Sequence, residues 1–439
     1  MKYYMAGIKG AGMSALALLL SDLGYKIVGY DDAAEHRFTE DKLLERGIKI
    51  YTGPNDELDN ETVVIYSPAL RLSEHPELIK AQSMNLKIYE YQEYLGKLTK
   101  KYETISISGC HGKTTTTSML SHIMKNIEGC NYLIGDGQGH GDPNSSKFIL
   151  ESCEYRRHFL AYDPEYVIIT NIELDHTDYY KNIEDMILAY QEFANKAKKM
   201  VIACGEDRYT RYIDVNKPLY YYGIGDDNDI QARNIEYSND GTSFDVFVED
   251  EYYGHFDLPL FGKHMLLNAL AVIAVCHYER LDAKEVSKNL KTFKGAERRF
   301  KETVVGNNVL IDDYAHHPTE VKVTIKAARQ KYPDKKIIAV FKAHTFSRVE
   351  EFANEFANAL NLADKAFVMD INYDREKPED YPGVTPYTII DKLNNGDYIE
   401  QGQASKLLEF DNAVILFMSS KEIYLLEEEY KKLLENKEN

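Results

Sequence analysis

Residues 108–117, "SGCHGKTTTT", combine two glycines, a lysine and a run of hydroxyls directly after the β-branched segment "ETISIS". Gly109 and Gly112 have no Cβ, so backbone N–H groups of this stretch can approach phosphate oxygens closely. Lys113 would reach the β- and γ-phosphates of a nucleotide, and Thr114 would offer a hydroxyl to magnesium. The pattern G-x-x-G-K-T is shorter than the usual G-x-x-x-x-G-K-[ST], because an isoleucine stands where the first glycine would be. A strand before the stretch and a helix after it favour a phosphate-binding loop over a chance Gly-Lys turn.

Acidic side chains follow two later segments that have the pattern of buried strands. Glu151 ends "FILES" with Glu154 close behind, and His176 closes "TNIELDH". The carboxyl ends of parallel strands meet at one edge of a sheet, which would bring these residues beside the loop. Carboxylate oxygen and neutral imidazole suit magnesium. Each acidic residue alone is better explained as a solvated loop residue, but together with the loop they predict a metal site.

Alternating strand and helix patterns predict an α/β protein of three segments, at residues 1–97, 98–295 and 296–439,. The first segment opens as a βαβ unit, with the glycine-rich turn "GIKGAGMS" between "KYYMAGI" and "ALALLLSDLG",. In the second segment, "GTSFDVFVEDEYYGHFDLPL" alternates with period two and predicts antiparallel pairing, hence a mixed sheet,. The third segment returns to strand–helix alternation.

Composition narrows the class of protein. The 439 residues carry a net charge of −19, from 71 acidic and 52 basic side chains. Such a surface would repel nucleic acid and anionic membranes. The five cysteines are scattered, with no C-x-x-C pair, which disfavours zinc and fits a reducing cytoplasm,. No run of 18 apolar residues occurs, so we expect no membrane span.

The N-terminal turn allows two interpretations. G-x-G-x-x-A from Gly10 to Ala15, with Asp31 about 20 residues on, is typical of a dinucleotide site in a Rossmann oxidoreductase,. It also fits a site for another nucleotide diphosphate, and Asp31 would suit a ribose hydroxyl in either case. The motif alone is weak evidence.

Longer motifs carry a resemblance to a known family. The stretches "GCHGKTTTTSM", "LESCEYRRHFL", "TNIELDH", "FGKHMLLNALA", "RRF", "DDYAHHPTE" and "HTFSR" occur in the order and at the rough spacing of the Mur ligases. "GIKGAGMSALA" agrees, and the alanine-adding branch is the most similar. The resemblance covers nearly the whole chain and weakens after about Glu376.

The resemblance implies an architecture and an activity. The architecture is a Rossmann-like UDP-binding domain, a central P-loop ATPase domain with a mixed sheet, and a C-terminal Rossmann-like amino-acid-binding domain. The activity is ATP-dependent joining of L-alanine to the carboxylate of UDP-N-acetylmuramate, through an acyl phosphate and a tetrahedral intermediate, with magnesium. That reaction serves peptidoglycan synthesis, cell-wall biogenesis, cell shape and cell division. We expect a cytoplasmic monomer or homodimer.

The resemblance also assigns nucleotide and metal roles to residues. The ATP-binding set comprises Gly109, Cys110, His111, Gly112, Lys113, Thr114, Thr115, His264 and Asn268. The metal set comprises Thr114, Glu151 and His176. His264 and Asn268 could instead be a helix cap and a buried helix asparagine.

The remaining roles fall in the first and third segments. The UDP-sugar set comprises Gly7, Gly10, Gly12, Met13, Ser14, Asp31 and Ser67. The amino-acid set comprises Asp313, Tyr314, His316, His344 and Arg348. The catalytic set comprises Lys113, Glu151, His176, Arg298, Arg299, His316, His344 and Arg348. One of the two adjacent arginines would face the reacting phosphate and the other could form a structural ion pair. His317 is expected only to pack before Pro318.

The chain departs from the family's usual pattern at several positions. Cys110 replaces Thr or Ala, with little effect expected, and Lys342 adds charge near the amino-acid site. Gln191 stands where some Mur ligases carry a carbamylated lysine, which agrees with the alanine-adding branch. "FMSSKEI" receives no site.

Three other functions stay open from the sequence. A nucleotide-dependent regulatory protein would need no amino-acid pocket, so Arg348 argues against it. The Rossmann oxidoreductase rests on the N-terminal turn alone. A recycling ligase that attaches a whole peptide to the same UDP-sugar is the nearest rival.

Overall fold

The computed structural model describes residues 1–296, 299–373 and 376–438. The chain divides into two compact units. The first comprises Met1–Arg233, Asp245–Phe256 and Leu267–Phe293, and the second comprises Asn234–Phe244, Asp257–Leu266 and Lys294–Asn439. Among the described residues, none of the helices combines the length and the apolar character that a bilayer crossing requires.

The first unit opens with a five-stranded parallel sheet in the order β3-β2-β1-β4-β5. Its elements are β1 (Lys2–Ala6), α1 (Ala11–Asp22), β2 (Lys26–Tyr30), α2 (Glu40–Glu45), β3 (Lys49–Tyr51), β4 (Thr62–Tyr66), α3 (Pro76–Ser83), β5 (Lys87–Glu90) and α4 (Tyr91–Lys101). Apolar side chains bury both faces of β1, because Tyr3 and Met5 join one core cluster and Tyr4 the other. Such two-sided burial is typical of a parallel sheet.

A ten-stranded sheet follows, in the order β15-β14-β13-β12-β11-β10-β6-β9-β7-β8. The elements are β6 (Glu103–Ser108), α5 (Lys113–Ile127), β7 (Asn131–Leu133), β8 (Gly139–His140), β9 (Lys147–Glu151), β10 (Tyr166–Ile169), α6 (Ile183–Ala194), β11 (Met200–Cys204), β12 (Leu219–Gly223), β13 (Ile230–Tyr237), β14 (Thr242–Val248), β15 (Glu251–Leu258), α7 (Lys263–Tyr278) and α8 (Ala283–Leu290). Strand β6 pairs in parallel with β9 and β10, whereas β7 and β8 pair antiparallel. The predicted mixed sheet is therefore confirmed, and the carboxyl ends of β6, β9 and β10 lie side by side.

Helix α1 covers the edge strand β8 of this sheet. Glycine occupies every second position from 135 to 141. A Cβ added at Gly139 would lie 1.8 Å from the Ala15 carbonyl oxygen, and one at Gly141 would lie 2.5 Å from that of Leu19. Four helix residues rise about 6 Å and two strand residues advance about 6.6 Å, so the two spacings match. The glycines therefore let the strand backbone lie directly on the helix.

The second unit contains a six-stranded sheet in the order β16-β17-β21-β18-β19-β20. Its elements are β16 (Lys301–Val305), β17 (Asn308–Asp313), α9 (Pro318–Lys331), β18 (Lys336–Phe341), α10 (Phe346–Leu360), β19 (Lys365–Val368), α11 (Tyr387–Ile390), β20 (Gly396–Tyr398), β21 (Ala413–Met418) and α12 (Tyr424–Glu438). Only β16 pairs antiparallel, on β17, and the other described pairs are parallel. Alternate residues of β21 enter two different core clusters, Leu416 in one and Ile415 in the other. The α/β fold class predicted from the sequence is confirmed.

Candidate functional site

The phosphate-binding loop joins β6 to α5, and its two glycines are required by geometry. Gly109 has φ +132°, and an added Cβ would lie 2.0 Å from Thr170 Oγ1. Gly112 caps α5 with φ +85°, and an added Cβ would lie 2.7 Å from Asn268 Oδ1. Side chains at either position would collide with neighbours that are themselves buried. The same contact places Asn268, from α7, against the loop.

Hydrogen bonds fasten the loop to the end of β10. The N–H of His111 donates to Asn171 Oδ1 at 2.9 Å, and its carbonyl accepts from Thr170 Oγ1 at 2.6 Å. Its ring Nε2 lies 2.9 Å from Glu173 Oε2. "TNIELDH" therefore supports the backbone of the loop as well as supplying His176.

The side chain of Cys110 lies in the core beside the loop. Its sulfur is 3.9 Å from Met186 Sδ and 3.7 Å from Tyr190 Oη. Burial raises the pKa of the Cys110 thiol well above its usual range. The Cys110 side chain therefore packs against α6, and the small effect expected from this departure stays a prediction. Thr115 is likewise buried, at the start of α5.

Lys113 folds back over its own loop. Its ammonium donates to the carbonyls of Gly109 at 2.5 Å and Cys110 at 3.1 Å. It also lies 2.9 Å and 3.1 Å from the two carboxylate oxygens of Glu154. Burial alone would lower the pKa of the Lys113 ammonium, but the surrounding groups, Glu154 foremost, raise it above its usual range. Lys113 is therefore a partly buried cation with a buried anionic partner.

The residues present fit a magnesium ion at Thr114 and Glu151. The Thr114 hydroxyl donates to Glu151 Oε1 at 3.0 Å, and the N–H of Gly135 donates to Oε2 at 2.7 Å. Burial raises the pKa of the Glu151 carboxyl, while the Gly135 N–H opposes that rise. A carboxylate touching a hydroxyl at the end of a phosphate loop is the hard-oxygen set that magnesium prefers.

The structure places the His176 ring beside Glu154. His176 Nε2 lies 3.4 Å from Glu154 Oε1, and His176 has a left-handed backbone with φ +53°. Burial lowers the pKa of the His176 imidazole, but the Glu154 and Asp175 carboxylates outweigh it and raise the pKa overall.

Glu154 was predicted from the sequence to lie near the metal site, but its contact with Lys113 was not expected. Its side chain is 1% exposed, between Lys113 and His176. Despite burial, its pKa is lowered by these two cationic neighbours, Lys113 first. The available signal was "ESCE", in which a second glutamate follows Glu151 by three residues.

The N-terminal turn of the first unit brings several of the predicted UDP-sugar residues together. The N–H of Gly7 donates to the Tyr30 carbonyl at 2.7 Å, and the N–H of Gly10 donates to that of Gly7 at 3.2 Å. Ser67 packs against Gly7, because a Cβ added at Gly7 would lie 2.7 Å from the Cβ of Ser67. A Cβ at Gly12 would lie 2.7 Å from Tyr91 Oη.

The buried carboxylate of Asp31 connects the N-terminal turn to the segment after β2. Asp31 accepts from the N–H groups of Lys9 at 2.9 Å and Ala33 at 3.0 Å. Met13 and Ser14 are buried in α1. Lys9, which has no role predicted from the sequence, is 3% exposed, and its ammonium lies 2.9 Å from Glu40 Oε2.

In the second unit, Glu320 connects several residues of "DDYAHHPTE". It accepts from the N–H of His316 at 3.0 Å and lies 3.4 Å from the Arg299 guanidinium. The guanidinium also stands 5.1 Å from the ring centre of Tyr314. Arg299 therefore forms the structural ion pair that was one of its two predicted options. Arg298 lies outside the described residues.

Asp313 and His317 have local structural partners. Asp313 accepts from the N–H groups of Phe300 and Ala315, each at 2.8 Å. His317 caps α9, where its side chain accepts from the N–H of Thr319, in addition to standing before Pro318.

In "HTFSR", His344 contacts Ser420, a residue of the C-terminal segment. His344 Nδ1 lies 3.3 Å from Ser420 Oγ, and the rings of His344 and His316 are 6.4 Å apart. Arg348 donates to the His344 carbonyl. Ser420 belongs to "FMSSKEI", which received no site from the sequence.

His264 and Asn268, both predicted to bind ATP, fall in different compact units. Asn268 lies with the phosphate loop. Burial, and then Arg299, lower the pKa of the His264 imidazole to about 4.

Comparisons with known proteins match the chain along most of its length. Three family models match in chain order: "Mur ligase family, catalytic domain" at residues 2–103, "Mur ligase middle domain" at 107–276, and "Mur ligase, glutamate ligase domain" at 298–420. The crystal structure of a UDP-N-acetylmuramate–alanine ligase from Thermotoga maritima is similar, with 26% identity, 100% of each chain covered and a TM-score of 0.81.

Two further structures share the fold at lower identity. A murein peptide ligase from Psychrobacter arcticus has 20% identity, 99% of each chain covered and a TM-score of 0.69. A MurF ligase from Thermotoga maritima in complex with ADP has 17% identity, with 94% of this chain and 95% of that chain covered and a TM-score of 0.64. The matched models and the three-sheet architecture together show that the chain belongs to the Mur ligase family of ATP-dependent ligases that make peptidoglycan precursors.

Proposed function

We propose that the chain joins L-alanine to the carboxylate of UDP-N-acetylmuramate at the expense of ATP. The observation that supports the proposal is the phosphate loop at the ends of β6 and β9, in which Thr114 contacts Glu151 and Lys113 contacts Glu154. The similarity to an alanine ligase over the full length of both chains supports the choice of amino acid.

The residues suggest how the reaction would proceed. The γ-phosphoryl group passes from ATP to the muramoyl carboxylate, which leaves ADP and an acyl phosphate. The alanine amine then attacks the acyl carbon, a tetrahedral intermediate forms, and phosphate departs as the amide is made. Phosphoryl transfer needs positioning and charge neutralisation more than covalent help.

Each residue set has a part in that scheme. The loop N–H groups and Lys113 would bind the phosphates. Thr114 and Glu151 would hold magnesium, which supplies further neutralising charge. Arg348, with His344 and His316, would hold the amino acid, since a guanidinium can grip a carboxylate through two parallel N–H bonds. Gly7, Gly10 and Asp31 would hold the UDP moiety.

ADP release measured with each substrate in turn tests the proposal. We expect release to require both UDP-N-acetylmuramate and an amino acid, with L-alanine the best. Equal turnover without the UDP-sugar would exclude a ligase of this kind. Turnover with a peptide but not with alanine would instead identify a recycling ligase.

A further inference from the structure

The ammonium of Lys113 has all of its N–H groups in use. A lysine ammonium has three donors. Here they face the Gly109 carbonyl at 2.5 Å, the Cys110 carbonyl at 3.1 Å and the Glu154 carboxylate at 2.9 Å. The lysine that should meet nucleotide phosphate therefore already holds an anion supplied by the protein.

Glu154 is held in this position by its own backbone. Its carbonyl accepts from the Tyr180 hydroxyl at 2.5 Å and from the N–H of Arg157 at 2.8 Å. Arg156 and Arg157, which follow Glu154 after Tyr155, have left-handed φ values of 51° and 58°. Non-glycine residues adopt such angles only where the surrounding structure enforces them, and they cluster at functional sites. The carboxylate is thus presented by a constrained segment rather than by a free side chain.

We propose that Glu154 occupies, in the nucleotide-free protein, the place of a nucleotide phosphate at Lys113, so that nucleotide binding exchanges one anion for another. The inference rests on the proposed ATP-dependent function. Glu154 is then a positioning residue that keeps Lys113 at the loop and competes with nucleotide that arrives without magnesium.

His176 is a second cationic partner for Glu154 during this exchange. When Lys113 turns to a phosphate, the Glu154 carboxylate would lose its closest cationic partner. A buried charge without a partner is strongly unfavourable. His176 Nε2 already lies 3.4 Å from Glu154 Oε1, so one partner stays in place. The pair Glu154–His176 therefore lets Lys113 leave without stranding a charge.

This role and a merely structural role predict opposite changes in affinity. If Glu154 only supports the loop, its replacement weakens nucleotide binding. If Glu154 competes for Lys113, its replacement strengthens the binding of metal-free nucleotide, because phosphate no longer has to displace a carboxylate.

The test is calorimetric binding of ADP with EDTA present to the full-length protein. We expect Glu154→Gln to bind metal-free ADP roughly tenfold more tightly than wild type, the low end for removing one competing charge-assisted hydrogen bond. Glu154→Asp keeps the charge but shortens the side chain by one carbon, so it should also bind more tightly, by a smaller factor. If Glu154→Gln does not fold, the ADP affinity of Glu154→Asp is measured instead.

Asp178→Asn is the matched control. Asp178 is exposed in the same region and accepts from the Tyr155 hydroxyl at 2.9 Å. Its replacement removes a negative charge without altering the Lys113 contact, so ADP affinity should not change. A gain in Asp178→Asn equal to that in Glu154→Gln would overturn the proposal, because general charge would then explain both. Unchanged or weaker binding in folded Glu154 variants would also overturn it.

The wild-type arm separates this inference from the proposed function. If wild type fails to bind ADP even with magnesium, the ATP-dependent function itself is wrong. If wild type binds ADP and the Glu154 variants show no gain, only the exchange at Lys113 is wrong. Turnover adds a second readout, since we expect kcat to fall in Glu154→Gln while metal-free affinity rises.

Discussion

At the scale of single residues, ion pairs with a buried carboxylate organise both units. Lys113 with Glu154 and Arg299 with Glu320 each join a cation to a carboxylate whose side chain is less than a tenth exposed. Removing one partner of a buried pair typically costs about 3–5 kcal/mol, because the other charge is left without compensation. These residues therefore couple the stability of the fold to the layout of the candidate site.

We predict that Arg348→Lys is not a conservative change. A guanidinium can bind a carboxylate through two coplanar N–H bonds, whereas an ammonium offers a point charge. Loss of one charge-assisted bond costs about 1.5–3 kcal/mol, so kcat/KM for alanine should fall roughly 10- to 150-fold. Steady-state kinetics measure this fall in kcat/KM when alanine, ATP and the UDP-sugar are varied separately.

Arg329→Lys provides the control for that measurement. Arg329 pairs with Asp364 at 2.7 Å in the same unit, and its replacement should leave the alanine kinetics unchanged. A defect of Arg348→Lys confined to the ATP or UDP-sugar parameters would show that Arg348 does not hold the amino acid.

His264 should make stability depend on pH. Its folded pKa is about 4 against 6.5 for the free side chain, so the unfolded chain binds the proton more readily between these values,. The stabilisation is therefore present above pH 6.5 and is lost as pH falls toward 4. His264→Gln should flatten the pH dependence of the unfolding free energy in that window, measured by denaturant titration.

His36→Gln is the comparison for the histidine experiment. The His36 side chain is 60% exposed and its ion pair with Asp41 lies in solvent, so its replacement should change the slope less than His264→Gln does,. If the unfolding free energies of wild type and His264→Gln depended on pH in the same way, the lowered pKa of His264 would be contradicted.

At the scale of elements, the sequence predicted what is local. "SGCHGKTTTT" contains the glycines, the lysine and the helix start of one contiguous loop, so residue types alone indicated its chemistry. The sequence placed Glu154 near the loop, but it could not show the contacts of Glu154 with Lys113 and His176, which come from distant segments. The place of Ser420 beside His344 depends likewise on two strands that meet only in the folded sheet.

The contact between α1 and β8 was also beyond the sequence argument. "GDGQGHG" has no apolar pattern, and its glycines acquire a meaning only when a helix lies against them. Which surface a short strand meets is set by tertiary packing rather than by propensity.

We predict that Gly139→Ala destabilises the first unit. The added Cβ would lie 1.8 Å from the Ala15 carbonyl, so helix and strand must separate. Overpacking of this kind costs about 1–3 kcal/mol, and thermal unfolding should begin at a lower temperature. Gly53→Ala is the control, because an added Cβ there meets nothing within 4 Å. Equal unfolding temperatures for the two variants would show that β8 moves away from α1 without loss of stability.

At the scale of the whole molecule, the net charge of −19 opposes the substrates that we propose. ATP and a UDP-sugar are anions, and long-range repulsion slows their approach. The contacts at Lys113 are partly buried, so salt screens them less than it screens the surface field,.

We therefore predict that moderate salt improves the use of the anionic substrates. Raising ionic strength from 0.01 to 0.15 M shortens the screening length from about 30 to about 8 Å. At fixed magnesium, kcat/KM for ATP and for the UDP-sugar should rise, whereas the KM for zwitterionic alanine should stay constant. A decrease for both anions would mean that local positive charge governs their approach.

The packing of α1 on β8 also sets an order of events during synthesis. About 120 residues separate Ala15 from Gly139, so the helix leaves the ribosome well before the strand that covers it. Domains generally form from the N-terminus as the chain emerges. The five-stranded sheet can assemble early, yet one side of α1 stays in water until residue 141 has been made. A nascent chain paused between these points would expose that side of the helix to chaperones and proteases, and the completed β8 would remove it from their reach.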